Sequence, residues 1–278
     1  MLTTAVVWLN RIAGAIAGVV LAPVAWLPGW LSATLIAIAT GIGMLVAFKY
    51  TSHQAAIKRT RDQIKANLLA LSLFKDDLRV GLRSQGRILF EAGRLLALSL
   101  VPMLVMLVPM CLALGQLALW YQARPLAVGE EAVVTVRVAD GAEAMLDRIA
   151  LLPSDAATVA VGPVRVPAKK MACWNIKTQQ PGMHELAFEL DGQRATKQLA
   201  IGDRYMPVSL ERPSWNWSAA LVHPHEPPFA ADSPVQSIEV VYPERSSWTS
   251  GTDWWLVYWF AVSMVAAFVA RPFLGVNI

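Results

Sequence analysis

The sequence predicts a helical membrane protein carrying an inserted all-β, sandwich-like domain on its outer side. Three observations predict this. The runs 31–48, 95–120 and 254–270 hold 18, 26 and 17 residues without a charge. A bilayer core of ~30 Å takes about 20 helical residues to cross, so each run is a candidate span. Segment 49–94 carries ten Lys and Arg against four acids, net +6, whereas 121–253 carries twelve against sixteen, net −4. Basic loops stay in the cytoplasm, which puts 49–94 inside and 121–253 outside an inner (plasma) membrane. Finally, 121–203 drops the helical period for short alternating runs bounded by turn residues.

Residues 1–30 come first. Thr3, Thr4, Asn10, Arg11, Gly14 and Gly18 share one face of an otherwise apolar helix. An amphipathic helix of this kind lies in the interface plane, here on the outer side. A spanning helix, favoured by the Gly14–Gly18 spacing, and a secretory signal are the alternatives. The first span lies in 31–48, where Ala33, Ala37 and Gly41 put small residues four apart and let another helix approach closely.

Within 49–94, Ile57, Ile64, Leu68 and Leu71 form one helical stripe, and Leu78, Leu82, Leu89 and Ala92 a second. Two such helices joined at Lys75-Asp76-Asp77 make a cytoplasmic coiled-coil hairpin, with Leu68 and Leu89 in the seam. The span in 95–120 contains Pro102 and Pro109, each of which removes a backbone donor and bends a helix.

In 121–203, strands are predicted at 132–138, 159–161, 164–166, 172–177, 182–190 and 196–201, with Asp191-Gly192 as a hairpin turn. Cys173, beside Trp174, reads as core filling. Cys111 falls in a span, so the two cysteines are not expected to pair. Segment 204–253 is proline-rich and extracytoplasmic, with one strand at 237–242. Trp215, Trp217 and Trp248 would lie at the membrane interface or cap the sandwich. The last span and tail, 254–278, open on Trp254, Trp255, Tyr258 and Trp259, and Arg271 stops the span on the inner side.

Composition narrows the chemistry. Hydrophobic residues make up 55% of the chain and mean hydropathy is +0.45, too apolar for one soluble domain. The pI near 9.2 comes from the hairpin and the membrane flanks, where lipid head groups rather than DNA are the partner. No span contains an acid or a histidine, so a proton relay is not indicated. His223, His225 and Glu226, which His184 could join, are the nearest thing to a zinc cluster, but the His223-Pro-His225 motif sits in a proline-rich loop read as surface. Asp76-Asp77 reads as turn chemistry. Phosphate-loop and serine-nucleophile motifs are absent, so neither an enzyme nor a cofactor is expected.

The order of parts carries a resemblance. The stretch Phe48-Lys49-Tyr50-Thr51-Ser52-His53-Gln54, the hairpin to Arg94, span 95–120 and the final span resemble the YidC/Oxa superfamily of membrane protein insertases, in its small three-span form. The resemblance covers about half of the chain. It implies insertion or folding of client membrane proteins through a groove open to the cytoplasm, with nascent chains and the ribosome as partners. Two features depart from the family pattern. The first span lacks the groove arginine of bacterial members and offers Ser32, Thr34 and Thr40 instead, and the β-domain falls between the second and third core spans. Thr40, Ser99 and Ser263 are the mid-depth hydroxyls that would face such a groove, with Lys49 and Arg94 as its basic mouth. The rival reading is a membrane-anchored scaffold whose β-domain binds an extracytoplasmic protein.

Overall fold

The computed structural model describes residues 1–24, 26–73, 78–251 and 254–276. The helices are α1 (Leu2–Val24), α2 (Gly29–Thr51), α3 (Gln54–Leu73), α4 (Leu78–Tyr121), α5 (Trp217–Val222) and α6 (Trp254–Leu274). The strands are β1 (Glu131–Val138), β2 (Ala150–Leu151), β3 (Ala157–Val166), β4 (Met171–Thr178), β5 (Gly182–Leu190), β6 (Gln193–Ile201), β7 (Glu211–Arg212) and β8 (Val235–Val240). Four helices are long and apolar enough to cross a membrane: Leu2–Pro23, Gly29–Thr51, Leu82–Tyr121 and Trp254–Leu274. The first of these is the segment expected in the interface, so length and hydropathy alone do not set it apart from the other three. The chain divides into two units, Met1–Ala33 with Cys111–Tyr258, and Thr34–Met110 with Trp259–Ile278.

The first unit contains the β-domain. Its strands form a five-stranded antiparallel sheet ordered β3-β4-β1-β8-β7 and a three-stranded sheet ordered β2-β5-β6. Alternation on β1 buries Val134, Val136 and Val138. Trp174 of β4 meets Phe188 of β5 at 5.3 Å between ring centroids, so one aromatic pair bridges the two sheets. Asp191 and Gly192 both take positive φ, 49° and 81°, the geometry of a two-residue primed turn between β5 and β6. The two strands predicted at 159–161 and 164–166 are one strand, β3, with register shifts between Val159 and Val161 and between Val161 and Val164.

The β-domain does not stop at 203, because β8 lies between β1 and β7, and Val208, Phe229, Val235, Ile238 and Val240 join its core. Prolines conceal this, since they interrupt the pattern while leaving β8 free of them. Cys173 is not core filling. Neighbours on a strand point to opposite faces, and Trp174 takes the inner one. Cys173 instead lies 3.6 Å from the Thr135 hydroxyl, and both cysteines are free. Trp215, Trp217 and Trp248 stay exposed and do not cap the core, and Trp248 meets Tyr258 edge-on.

In the same unit α1 lies along α5. Asn10 Nδ2 donates to the Ala220 carbonyl at 2.6 Å. Asn216 caps α5, its side chain accepting from Ser218 N. Of the polar stripe of α1, Asn10 is buried against protein and Gly14 is half-buried, whereas Thr4, Arg11 and Gly18 are exposed, as are Trp8, Ile12, Ile16 and Val19.

The second unit contains α3 and the parts of α2, α4 and α6 that fall in residues 34–110 and 259–278. Ala37 is fully buried, and a Cβ on Gly41 would fall 2.3 Å from the Ser263 carbonyl oxygen, so α2 and α6 touch through backbone. α4 runs without a break from Leu78 to Tyr121, through Pro102 and Pro109. The hairpin seam departs in part from the expected one: Ile57, Ile64 and Leu71 lie on the less exposed face of α3, but Leu68 does not. Ile57, Thr60 and Ser84 are buried, whereas Leu68, Leu82 and Leu89 are 50%, 64% and 75% exposed. Gln63 faces Glu91 across the seam, and with its amide turned so that the nitrogen meets the carboxylate it donates to both oxygens within 3.2 Å. Positions 57, 60, 64, 67 and 71, alternately three and four apart, form the less exposed face of α3. The leucine count misled because the seam uses small polar residues where the leucines were expected. The tip at Lys75-Asp76-Asp77 lies outside the described residues.

Candidate functional site

The second unit holds a groove of about 300 Å³ along α2, α4 and α6. Thr40 and Ser263 both line it, but its walls are mainly apolar, with Met44, Met106, Met110 and Met264 forming four of its sides. Ser99 does not line it. All three hydroxyls donate to their own helices: Thr40 Oγ1 to Ile36 O at 2.8 Å, Ser99 Oγ to Leu95 O at 2.9 Å and Ser263 Oγ to Phe260 O at 3.0 Å. Thr40 Oγ1 also accepts from Trp259 Nε1 at 2.9 Å. The groove therefore presents soft, adaptable thioethers rather than free hydroxyls.

The basic mouth residues are engaged as well. Lys49 Nζ donates to the Leu274 carbonyl at 2.8 Å, where a cation meets the exposed carbonyls of the α6 C-terminus. Arg94 lies 3.7 Å from Glu91 one turn back and is half exposed.

A buried ion pair in the first unit escaped the sequence reading. Lys197 of β6 is fully buried, and its Nζ donates to Ser209 O at 2.7 Å, Ser209 Oγ at 3.1 Å, Gln198 O at 3.1 Å and the Glu226 carboxylate. Ser209 Oγ donates to the same carboxylate, and Gln198 N completes it. Burial pulls the Lys197 ammonium below its ordinary value, and Glu226 opposes that pull. A serine beside a buried lysine has the parts of a nucleophile and base, but Glu226 holds both and Ser209 is 3% exposed. The cluster ties β6 to the loop after α5.

The histidines of that loop are half-buried rather than on the surface. His223 Nε2 lies 3.3 Å from Glu211, and burial holds both His223 and His225 below their ordinary pKa. No group of three or more His, Cys, Asp or Glu gathers at metal-binding distance among the described residues.

Comparison with family models, with curated proteins and with solved structures returns no match.

Proposed function

We propose that this chain is an insertase-type membrane protein whose methionine-lined groove holds an apolar segment of a client membrane protein. The groove of α2, α4 and α6 carries the proposal. Unbranched thioethers repack around different side chains, which suits a surface that must accept many sequences. The part of α2 that lines it, Thr40 to Phe48, is the half next to the basic hairpin, so positive-inside topology puts the groove in the cytoplasmic half of the membrane. In this reading α1 lies in the outer interface, where its polar face packs on α5. Clients are accommodated by apolar contact rather than by hydrated hydroxyls.

A photocrosslinker at Met264, which lines the groove, captures nascent membrane proteins during translation in native membranes. The same group at the neighbouring Val265, which is exposed and does not line it, captures mainly lipid. Equal capture at both positions would remove the groove from the account.

One observation favours the scaffold reading as an additional role. β3 is an edge strand with Val159, Val161 and Val164 all about half exposed, a surface suited to an extracytoplasmic protein partner. Val161→Lys abolishes co-purification of that partner if the edge is used, and leaves it intact if it is not.

A further inference from the structure

A second cavity, of about 360 Å³, lies within the first unit between α1, the last turns of α4 and the loop after α5. Gly14, Ala17 and Gly18 of α1 open the space. Two buried amides stand on its wall. Asn10 is 5% exposed, and its Nδ2 bond to Ala220 fixes the amide so that Oδ1 is buried with no partner. Gln116 is 6% exposed, and its Nε2 is buried with no partner. Orphaned buried polar atoms are uncommon, and two on one cavity indicate something that answers them. Arg11 lines the same cavity and is exposed. Glu226 lines it too, but Lys197, Ser209 and the Gln198 N–H already occupy its oxygens.

The cavity thus offers an acceptor, a donor and a cation. Around it α1 exposes Trp8, Ile12, Ile16 and Val19, an apolar surface that needs lipid. We propose that it binds the head group of an anionic glycerophospholipid that bears free hydroxyls, as phosphatidylglycerol does. The phosphate meets Arg11, a head-group hydroxyl donates to Asn10 Oδ1, and a glycerol or phosphate oxygen accepts from Gln116 Nε2. The volume falls at the lower end of small-ligand sites. A polypeptide segment would satisfy the two amides but bring no phosphate for Arg11. This site is independent of the client groove, since every residue it uses lies in the first unit.

The full chain, purified in detergent and stripped of lipid, is titrated with phosphatidylglycerol and separately with phosphatidylcholine, and bound lipid is counted by native mass spectrometry. The wild type retains phosphatidylglycerol roughly tenfold better, because phosphatidylcholine brings no hydroxyl to Asn10 Oδ1 and no net negative charge to Arg11. A Cβ added at Gly18 meets nothing within 4 Å, so the helix accepts a side chain there, and Gly18→Leu occupies the cavity and reduces retention to the phosphatidylcholine level. Gln116→Leu weakens retention of both lipids, because it removes a donor that the phosphate of either can use. Equal retention of the two lipids by the wild type would overturn the proposal. So would an undiminished preference in Gly18→Leu, or capture of a polypeptide from a photocrosslinker at Val7 with no lipid preference.

Discussion

Trp259 donates its indole N–H to the Thr40 hydroxyl at 2.9 Å, joining α6 to α2 at the level of the methionine groove. One residue further along α2, Gly41 rests on the backbone of Ser263. A polar clasp and a close backbone contact together fix one wall of the groove.

The clasp and the contact differ in cost. Trp259→Phe removes the donor while Thr40 keeps its bond to Ile36, so a double-mutant cycle with Thr40→Val returns a coupling of about 0.6–1.5 kcal/mol. Gly41→Ala forces a methyl onto the Ser263 carbonyl and costs about 1–3 kcal/mol, because the helices must separate. Unfolding of the purified protein by denaturing detergent measures both. A harmless Gly41→Ala would mean that the helices are not in backbone contact.

The hairpin seam gives a paired test. Ile57 is 2% exposed and Leu68 is 50% exposed. Ile57→Asp leaves an unpaired carboxylate in the seam and exposes 54–94 to protease, while Leu68→Asp retains wild-type resistance. The opposite ranking would restore the leucine-stripe seam.

The buried pair also predicts a pattern. Glu226→Ala leaves the Lys197 ammonium uncompensated and destabilises the first unit by about 3–5 kcal/mol. Lys197→Met combined with Glu226→Leu recovers most of that loss, because an apolar pair of similar volume needs no charge compensation. Denaturant unfolding followed by Trp174 fluorescence reads both variants. A double variant no better than Glu226→Ala would show that the hydrogen bonds, rather than charge balance, hold the site.

Acid weakens the same region. Burial, the largest cause, holds His223 and His225 below their ordinary value of 6.5. Above that value the imidazoles are neutral in folded and unfolded chains alike and contribute nothing. As pH falls through it, the unfolded chain takes up protons that the folded chain refuses, so stability is lost. The unfolding midpoint drops between about pH 7.5 and about pH 5.5, and His223→Gln with His225→Gln flattens the drop. An equal drop in that variant would move the effect to other groups.

Much of the frame was legible in the sequence, because charge-free runs, basic loops and alternating strands are local signals. β1, β5 and the Asp191-Gly192 turn fall where periodicity put them. The small-residue stripe on α2 also meets another helix as expected, through Gly41 and Ser263. Long-range pairing was not legible. Nothing near Lys197 announces Glu226, 29 positions on, and nothing near Asn10 announces Ala220, 210 positions on. The hydroxyls at 40, 99 and 263 were visible as polar residues in spans, but not that each would turn to its own backbone. The methionines that line the groove were hidden among equally apolar neighbours, since hydropathy does not distinguish a helix face that meets lipid from one that meets a cavity.

Reception of client segments by the groove is read out by insertion into proteoliposomes. Purified protein is reconstituted and offered a client with one short apolar span and a translocated tail, and insertion is scored by protease protection of the tail. The wild type raises the protected fraction severalfold over empty vesicles. Ala267→Phe, which fills the groove from α6, returns it to the empty-vesicle level while the protein stays folded. Protection equal in wild-type, Ala267→Phe and empty vesicles would mean that the groove receives no client.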